Sequence, residues 1–120
     1  MDNYKGVMVF GEIVGGQLAP VTIELLGAGR KLADELGEEL SILLLGSKAA
    51  GLGQDAIAYG ADKVYVADEA ALDDYNSDAY TQVAGNLCKK ALPAIMLFGH
   101  TDIGCDLSPR LNGRLGGGLS

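Results

Sequence analysis

Short apolar runs alternate with stretches of helical periodicity along the whole chain. Residues 6–13, GVMVFGEI, carry Val7, Met8, Val9 and Phe10 in unbroken succession, the pattern of a strand covered on both faces. Val14 to Leu18 reads as a turn. Pro20 then opens a helix to about Leu36, where Ile23, Leu26, Arg30, Ala33 and Gly37 lie on one line and Leu25, Leu32 and Leu36 make the better apolar stripe with Gly29 beside it. Gly37 suits its C-terminal cap. Residues 39–45, ELSILLL, form a second strand, Ala49–Tyr59 a short, weak helix ended by Gly60, and Lys63–Ala67 a third strand rich in β-branched residues. The acidic loop Asp68–Ser77 leads into a helix over 77–92 that Ser77 can cap. Tyr80, Val83, Ala84, Leu87, Cys88 and Ala91 follow helical spacing there. Pro93 stops that helix and launches a fourth strand, Ala94–Phe98, which breaks at Gly99-His100-Thr101. Asp102, Asp106 and Ser108 are all good caps for a last helix, and Pro109 suits a first helical position after Ser108. That helix passes through Leu111 and Leu115 and ends at Gly116, Gly117 and Gly118.

Strands alternating with helices imply an α/β fold: a three-layer α/β/α domain on a parallel sheet joined by right-handed crossovers. A chain of 120 residues builds one domain with a real core. The last helix is followed by a glycine cap and two residues, so a loop that should feed another strand feeds none. The expectation is a piece of a longer polypeptide whose sheet lacks its final strand. The exposed edge of the fourth strand then invites self-association.

Composition narrows the function. The chain is 48% hydrophobic with only 6% aromatic residues, so the core is aliphatic. A formal charge of −7 repels polyanions, and Lys89-Lys90, Arg110 and Arg114 build no basic patch; nucleic acid is not an expected partner. No apolar run approaches the ~20 residues of a membrane span, and the N-terminus does not read as a signal peptide. The expected compartment is the cytoplasm or an organelle matrix. Cys88 and Cys105 form no CxxC pair, which disfavours a metal site.

Candidate chemistry gathers where strands end. In an open α/β sheet, ligands and partners collect at the carboxyl ends of the strands. The run Gly99 to Gly104 could cradle a phosphate on backbone amides, but it matches neither GxGxxG nor the Walker pattern, and Asp102 and Asp106 oppose an anion. A plain structural turn is the favoured reading. Glu12 closes the first strand near the same point, facing a ligand, a partner or solvent. His100 is the single histidine and lacks the nucleophile and carboxylate of a triad. Cys105 lies in a polar loop without a resolving thiol, and Cys88 reads as core. Asp68, Glu69, Asp73, Asp74 and Asp78 read as a solvated acidic face or a docking surface. No catalytic constellation emerges. The candidate ligand or partner loop is Glu12, Gly99, Thr101, Gly104 and Asp106.

Four segments in order resemble one family. VMVFGEIVGGQL with PVTIELLGAGRKLADELGEEL, then YGADKVYVAD, then LFGHTDIGCDLSPRLNGRLGGGLS are similar to the N-terminal domain of the electron-transfer flavoprotein alpha subunit. The matching positions are Glu12, residues 24–34 and 60–68, and Gly99, Thr101, Gly104, Asp106, Leu107, Pro109, Arg110, Arg114, Leu115, Gly118 and Leu119. The chain departs at His100 and Cys105, where the family usually has Ala and Arg, and at Asn112-Gly113, where Ala-Ala is common.

The resemblance implies a nucleotide-binding-like fold of the adenine nucleotide alpha hydrolase type, with sheet order 3-2-1-4-5. It implies an alpha–beta heterodimer carrying electrons on FAD between dehydrogenases and an acceptor oxidoreductase. FAD would be held mainly by a C-terminal domain absent here, leaving this domain a redox-silent scaffold that packs on the beta subunit. A flavin's chemistry belongs to its isoalloxazine, and a protein supplies position and field. The alternative kept beside it is a stand-alone AMP- or ATP-binding module of universal-stress-like type.

Overall fold

The computed structural model describes residues 4–114 of the chain. Its main sheet has four parallel strands: β1 (Val7–Gly11), β4 (Leu40–Leu45), β5 (Lys63–Ala67) and β6 (Ile95–Leu97). Their order is β5-β4-β1-β6, the expected 3-2-1-4. Val7 sits opposite both Leu40 and Ile95, so β1 lies between β4 and β6, and the direction of winding reverses between β1 and β6.

Side chains alternate across the sheet and build one core on each face. Val7, Val9, Leu40, Ile42 and Leu44 point to one side, under α1 (Pro20–Leu36) and α2 (Gly53–Ala58). Met8, Phe10, Leu43, Leu45 and Met96 point to the other, under α3 (Ser77–Ala91) and α4 (Asp102–Arg114). That is the three-layer α/β/α arrangement.

Several elements differ from the sequence expectation. The first strand does not run unbroken from Gly6 to Ile13. It stops at Gly11, and Ile13–Val14 (β2) pairs antiparallel with Gln17–Leu18 (β3). Gly15 and Gly16, at φ 61° and 77°, make the left-handed two-residue turn that such a hairpin needs. The supposed turn is therefore a small hairpin.

On α1 the buried line is Thr22, Leu26, Gly29 and Ala33, not Leu25, Leu32 and Leu36. Leu25 and Leu32 only flank the core, and Leu36 is 48% exposed. The reason is close approach: a Cβ on Gly29 would lie 2.8 Å from Leu40 Cδ1, so the helix docks through its smallest residue. Gly37 closes α1 at φ 67°, as expected.

The stretch 49–59 splits into a 3₁₀ turn, Ala50–Leu52, and the six-residue α2. Asn76, not Ser77, caps α3; its side-chain oxygen accepts from the Ala79 N–H at 2.9 Å.

The last helix starts about two turns before Pro109. Thr101 caps it: its hydroxyl accepts from Gly104 N–H at 3.0 Å, and its carbonyl accepts from Cys105 N–H at 2.8 Å. Pro109 thus lies inside α4, at an exposed position, where it forgoes one intrahelical hydrogen bond. Buried Leu107 and Leu111 hold the helix to the sheet on either side of it. Leu115, the glycines 116–118 and the question of a strand beyond them lie outside the described residues.

Candidate functional site

Glu12 is where the sheet hands over to its loops. Gly11 ends β1 in contact with Leu44; a Cβ there would fall 2.5 Å from Leu44 Cδ2. The Glu12 backbone is then locked to the start of α1. Its N–H donates to Thr22 Oγ1 at 2.8 Å, Thr22 Oγ1 donates back to the Glu12 carbonyl at 3.0 Å, and the Ala19 N–H donates to that carbonyl at 2.9 Å. A buried hydroxyl thereby satisfies two groups that leave the ladder.

The Glu12 side chain crosses to the other side of the winding reversal. Thr101 Oγ1 donates to Glu12 Oε2 at 2.7 Å while accepting from Gly104, so one hydroxyl ties the end of β1 to the first turn of α4. Gly99 and Gly104 are small because this junction is tight. A Cβ on Gly99 would sit 2.8 Å from Val21 Cγ2 and 3.2 Å from Glu12 Oε2, and one on Gly104 would sit 2.0 Å from the Gly99 carbonyl oxygen. Glu12, Gly99, Thr101 and Gly104 therefore form one cluster.

Asp106 is placed elsewhere. Its carboxylate accepts from Tyr75 Oη at 2.5 Å, Ser77 Oγ at 2.6 Å and Arg110 Nε at 3.1 Å. The hydroxyls of Ser77 and Tyr75, ahead of the guanidinium of Arg110, hold its carboxyl down at about 2. Asp106 thus fastens α4 to the start of α3.

A cleft of about 300 Å³ opens beside Glu12 at the carboxyl ends of β1 and β4. Phe10, Tyr80, Leu45 and Ile103 give it an apolar lining, Gly15 and Gly16 of the hairpin form one wall, and Lys48 and Asp73 stand with Tyr75 on another. The rings are packed against one another: Tyr75 and Tyr80 meet edge to face at 4.8 Å, and Phe10 meets Tyr80 at 6.3 Å. Burial pushes the Tyr80 hydroxyl's pKa up, and that hydroxyl donates to the Leu72 carbonyl. Asp73 accepts from the Ser47 N–H at 2.7 Å and from Ser47 Oγ, which lowers its pKa. One member of the acidic loop is therefore a structural clasp between the β4 exit and the β5–α3 connection.

The remaining candidates do not converge. His100 and Cys105 are both exposed, and Cys88 is buried on α3 with its thiol pushed up to about 11. Among the described residues no three His, Cys, Asp or Glu side chains form a metal-binding group, and no helix is long and apolar enough to cross a membrane. The sequence pointed to the Glu12 junction, to Asp73 only as part of an acidic face and to Tyr80 only on a helix stripe, and not to Thr22, Ser47 or Tyr75. An apolar-flanked Thr two residues into α1 is the signal that would have found Thr22.

A flavin dinucleotide does not fit this cleft. Its volume lies at the bottom of the roughly 300–1,000 Å³ of small-molecule pockets. Its lining sets two carboxylates against one lysine where a pyrophosphate would need donors. The amides of Gly104 and Cys105, which a phosphate at α4 would call on, are consumed by Thr101.

Comparison with known proteins identifies the lineage. Residues 7–120 match the model of the electron transfer flavoprotein domain. The chain is 48% identical over 118 residues to Protein FixB of Clostridium saccharobutylicum, covering 98% of this chain and 35% of that protein. It is 41% identical over 120 residues to the electron transfer flavoprotein subunit alpha of Thermoanaerobacterium thermosaccharolyticum, covering all of this chain and 36% of the relative. It is 39% identical over 120 residues to the acryloyl-CoA reductase electron transfer subunit beta of Anaerotignum propionicum, again covering all of this chain and 33% of the relative. The chain thus spans about a third of the length of the curated relatives it matches. The flavoprotein reading prevails over the stand-alone nucleotide module, and the chain belongs to the electron transfer flavoprotein domain family.

Proposed function

We propose that this chain is the N-terminal domain of an electron transfer flavoprotein alpha subunit. Its work is to scaffold and to dock on a beta subunit. The assembled protein passes electrons on FAD from dehydrogenases to an acceptor oxidoreductase in the cytoplasm or an organelle matrix. The observation that carries this reading is coverage: essentially the whole chain aligns to relatives about three times its length, several of them named alpha subunits. FAD is held mainly by a C-terminal domain beyond this chain, and the chain alone is redox-silent. The poor fit of the Glu12 cleft to a dinucleotide supports that division of labour.

The loop end of the sheet, with Glu12, Gly99, Thr101 and Gly104, is the face that meets the partner, and Asp106 keeps α4 in place behind it. The chain needs no catalytic residue of its own for this task. Pairing through the outer edge of β6, which lies at one end of the sheet order, gives self-association when the partner is missing.

Sedimentation of the chain with the beta subunit of a related clostridial flavoprotein tests the proposal. A one-to-one complex is expected, with the self-associated form of the chain disappearing as it forms. Independent sedimentation of the two chains at micromolar concentration would overturn it.

A further inference from the structure

We propose that the cleft beside Glu12 is a binding site for an organic cation, an ammonium or guanidinium on an apolar stem. The inference deepens the reading of the loop end of the sheet as a contact face by naming what that face accepts.

Three observations carry it. The first is the Glu12 carboxylate itself. It is 9% exposed, lines the cleft, and takes one hydrogen bond from a neutral hydroxyl, with no Lys or Arg paired to it among the described residues. The four ion pairs there involve Arg30, Lys63 and Arg110, and none of them includes Glu12. A buried carboxylate is ordinarily paired. Here the natural counter-charge is one that arrives from outside.

The second is the company Glu12 keeps. Phe10, Tyr75 and Tyr80 contribute aromatic rings to the same cleft, and ring faces attract cationic nitrogen. The apolar parts of Leu45 and Ile103 suit a hydrocarbon stem.

The third is the balance of charge against the alternative. Asp73 stands at the wall, so the lining carries two carboxylates and Lys48. Lys48 is exposed, whereas Glu12 is buried and held by Thr101 and by its own backbone bonds. An anion would face the buried carboxylate and be served only by the exposed lysine.

The same nitrogen could come from a free small molecule or from an Arg side chain presented by a partner. Benzamidine stands for the first and N-acetylarginine methylamide for the second, with benzamide and benzoate as neutral and anionic counterparts of benzamidine. Binding to the whole chain is followed through the backbone amide resonances of Gly15, Gly16, Gly46 and Ile103.

The expected result is that a cationic probe binds about tenfold or more tightly than benzamide or benzoate, that E12Q removes this preference, and that K48A tightens cation binding several-fold by removing a competing charge. If benzamidine is the tighter cation the site serves a small molecule; if the arginine derivative is, it serves a partner's side chain. Equal or stronger binding of benzoate, cation binding unchanged in E12Q, or cation binding weakened in K48A would each overturn the site. K48A alters an exposed side chain, so it decides the matter even if E12Q does not fold. A chain that forms the beta-subunit complex yet ignores both cations would refute the site and leave the docking role standing.

Discussion

The two faces of the sheet solve one packing problem with different materials. Beneath α1 and α2 the buried cluster is Val, Leu, Ile and Ala throughout. Beneath α3 and α4 it also holds Met8, Met96, Phe10, Tyr80 and the Cys88 thiol. The first face is bound mainly by burial, which has no direction, with Thr22 and Arg30 of α1 adding bonds to Glu12 and to Gly60 and Asp62. Gly29 and Ala33 let α1 lie almost on the strands. The second face is fastened at its rim by directed bonds: Thr101 to Glu12, Tyr75 and Ser77 to Asp106, Ser47 to Asp73. The cleft opens on this second face, beside those bonds.

Leu26→Ala is the strongest test of the first face. Leu26 is fully buried, and its truncation is expected to cost about 2–5 kcal/mol in urea unfolding. Leu107→Ala, equally buried under α4, is expected in the same range, because both faces rest on burial. A Leu26→Ala cost below 1 kcal/mol would break the contrast, since that face would then not be held by volume.

Gly104→Ala probes the rim of the second face. Alanine by itself favours a helix by about 1 kcal/mol. Here its Cβ would be 2.0 Å from the Gly99 carbonyl oxygen, so the loop has to move. A net loss of about 1–3 kcal/mol is expected, with the Thr101 cap disrupted.

Asp106→Asn sharpens the electrostatic side of the comparison. The folded carboxyl titrates at about 2, below the 3.8 of an unperturbed Asp. The native chain holds this proton less tightly than the unfolded one. The contribution is therefore complete above about pH 4 and fades as pH falls toward 2. The Tm difference between the chain and Asp106→Asn should be steady at neutral pH and shrink through that window. A difference independent of pH would show that the tie to Tyr75 and Ser77 acts through shape alone.

How much of this was legible in the sequence follows the same division. Unbroken apolar runs announce β1 and β4, because strands covered on both faces have no polar side to show. Tyr80, Ala84 and Cys88 announce the buried face of α3 by spacing. On α1 the apolar stripe misleads: it highlights Leu25, Leu32 and Leu36, while the buried line is Thr22, Leu26, Gly29 and Ala33, where Gly29 matters for its small size and not for hydrophobicity.

The start of α4 was obscured by three competing cap residues and by Pro109. The true cap, Thr101, wins because Glu12 fixes its hydroxyl, and those partners lie 89 positions apart. The same distance problem hid the Tyr75–Asp106 bond, which spans 31 positions. Glu12, Gly99, Thr101 and Gly104 could be named as candidates from their place at strand ends. Their contacts, and the departure of Asp106 from the group, are long-range geometry that no local pattern encodes.

The most direct test of the central claim, that this domain supports a flavin carried elsewhere, is a titration of the purified chain with FAD followed by removal of free flavin. The account predicts a colourless protein with no retained visible flavin absorption. A one-to-one yellow complex that survives gel filtration would contradict it.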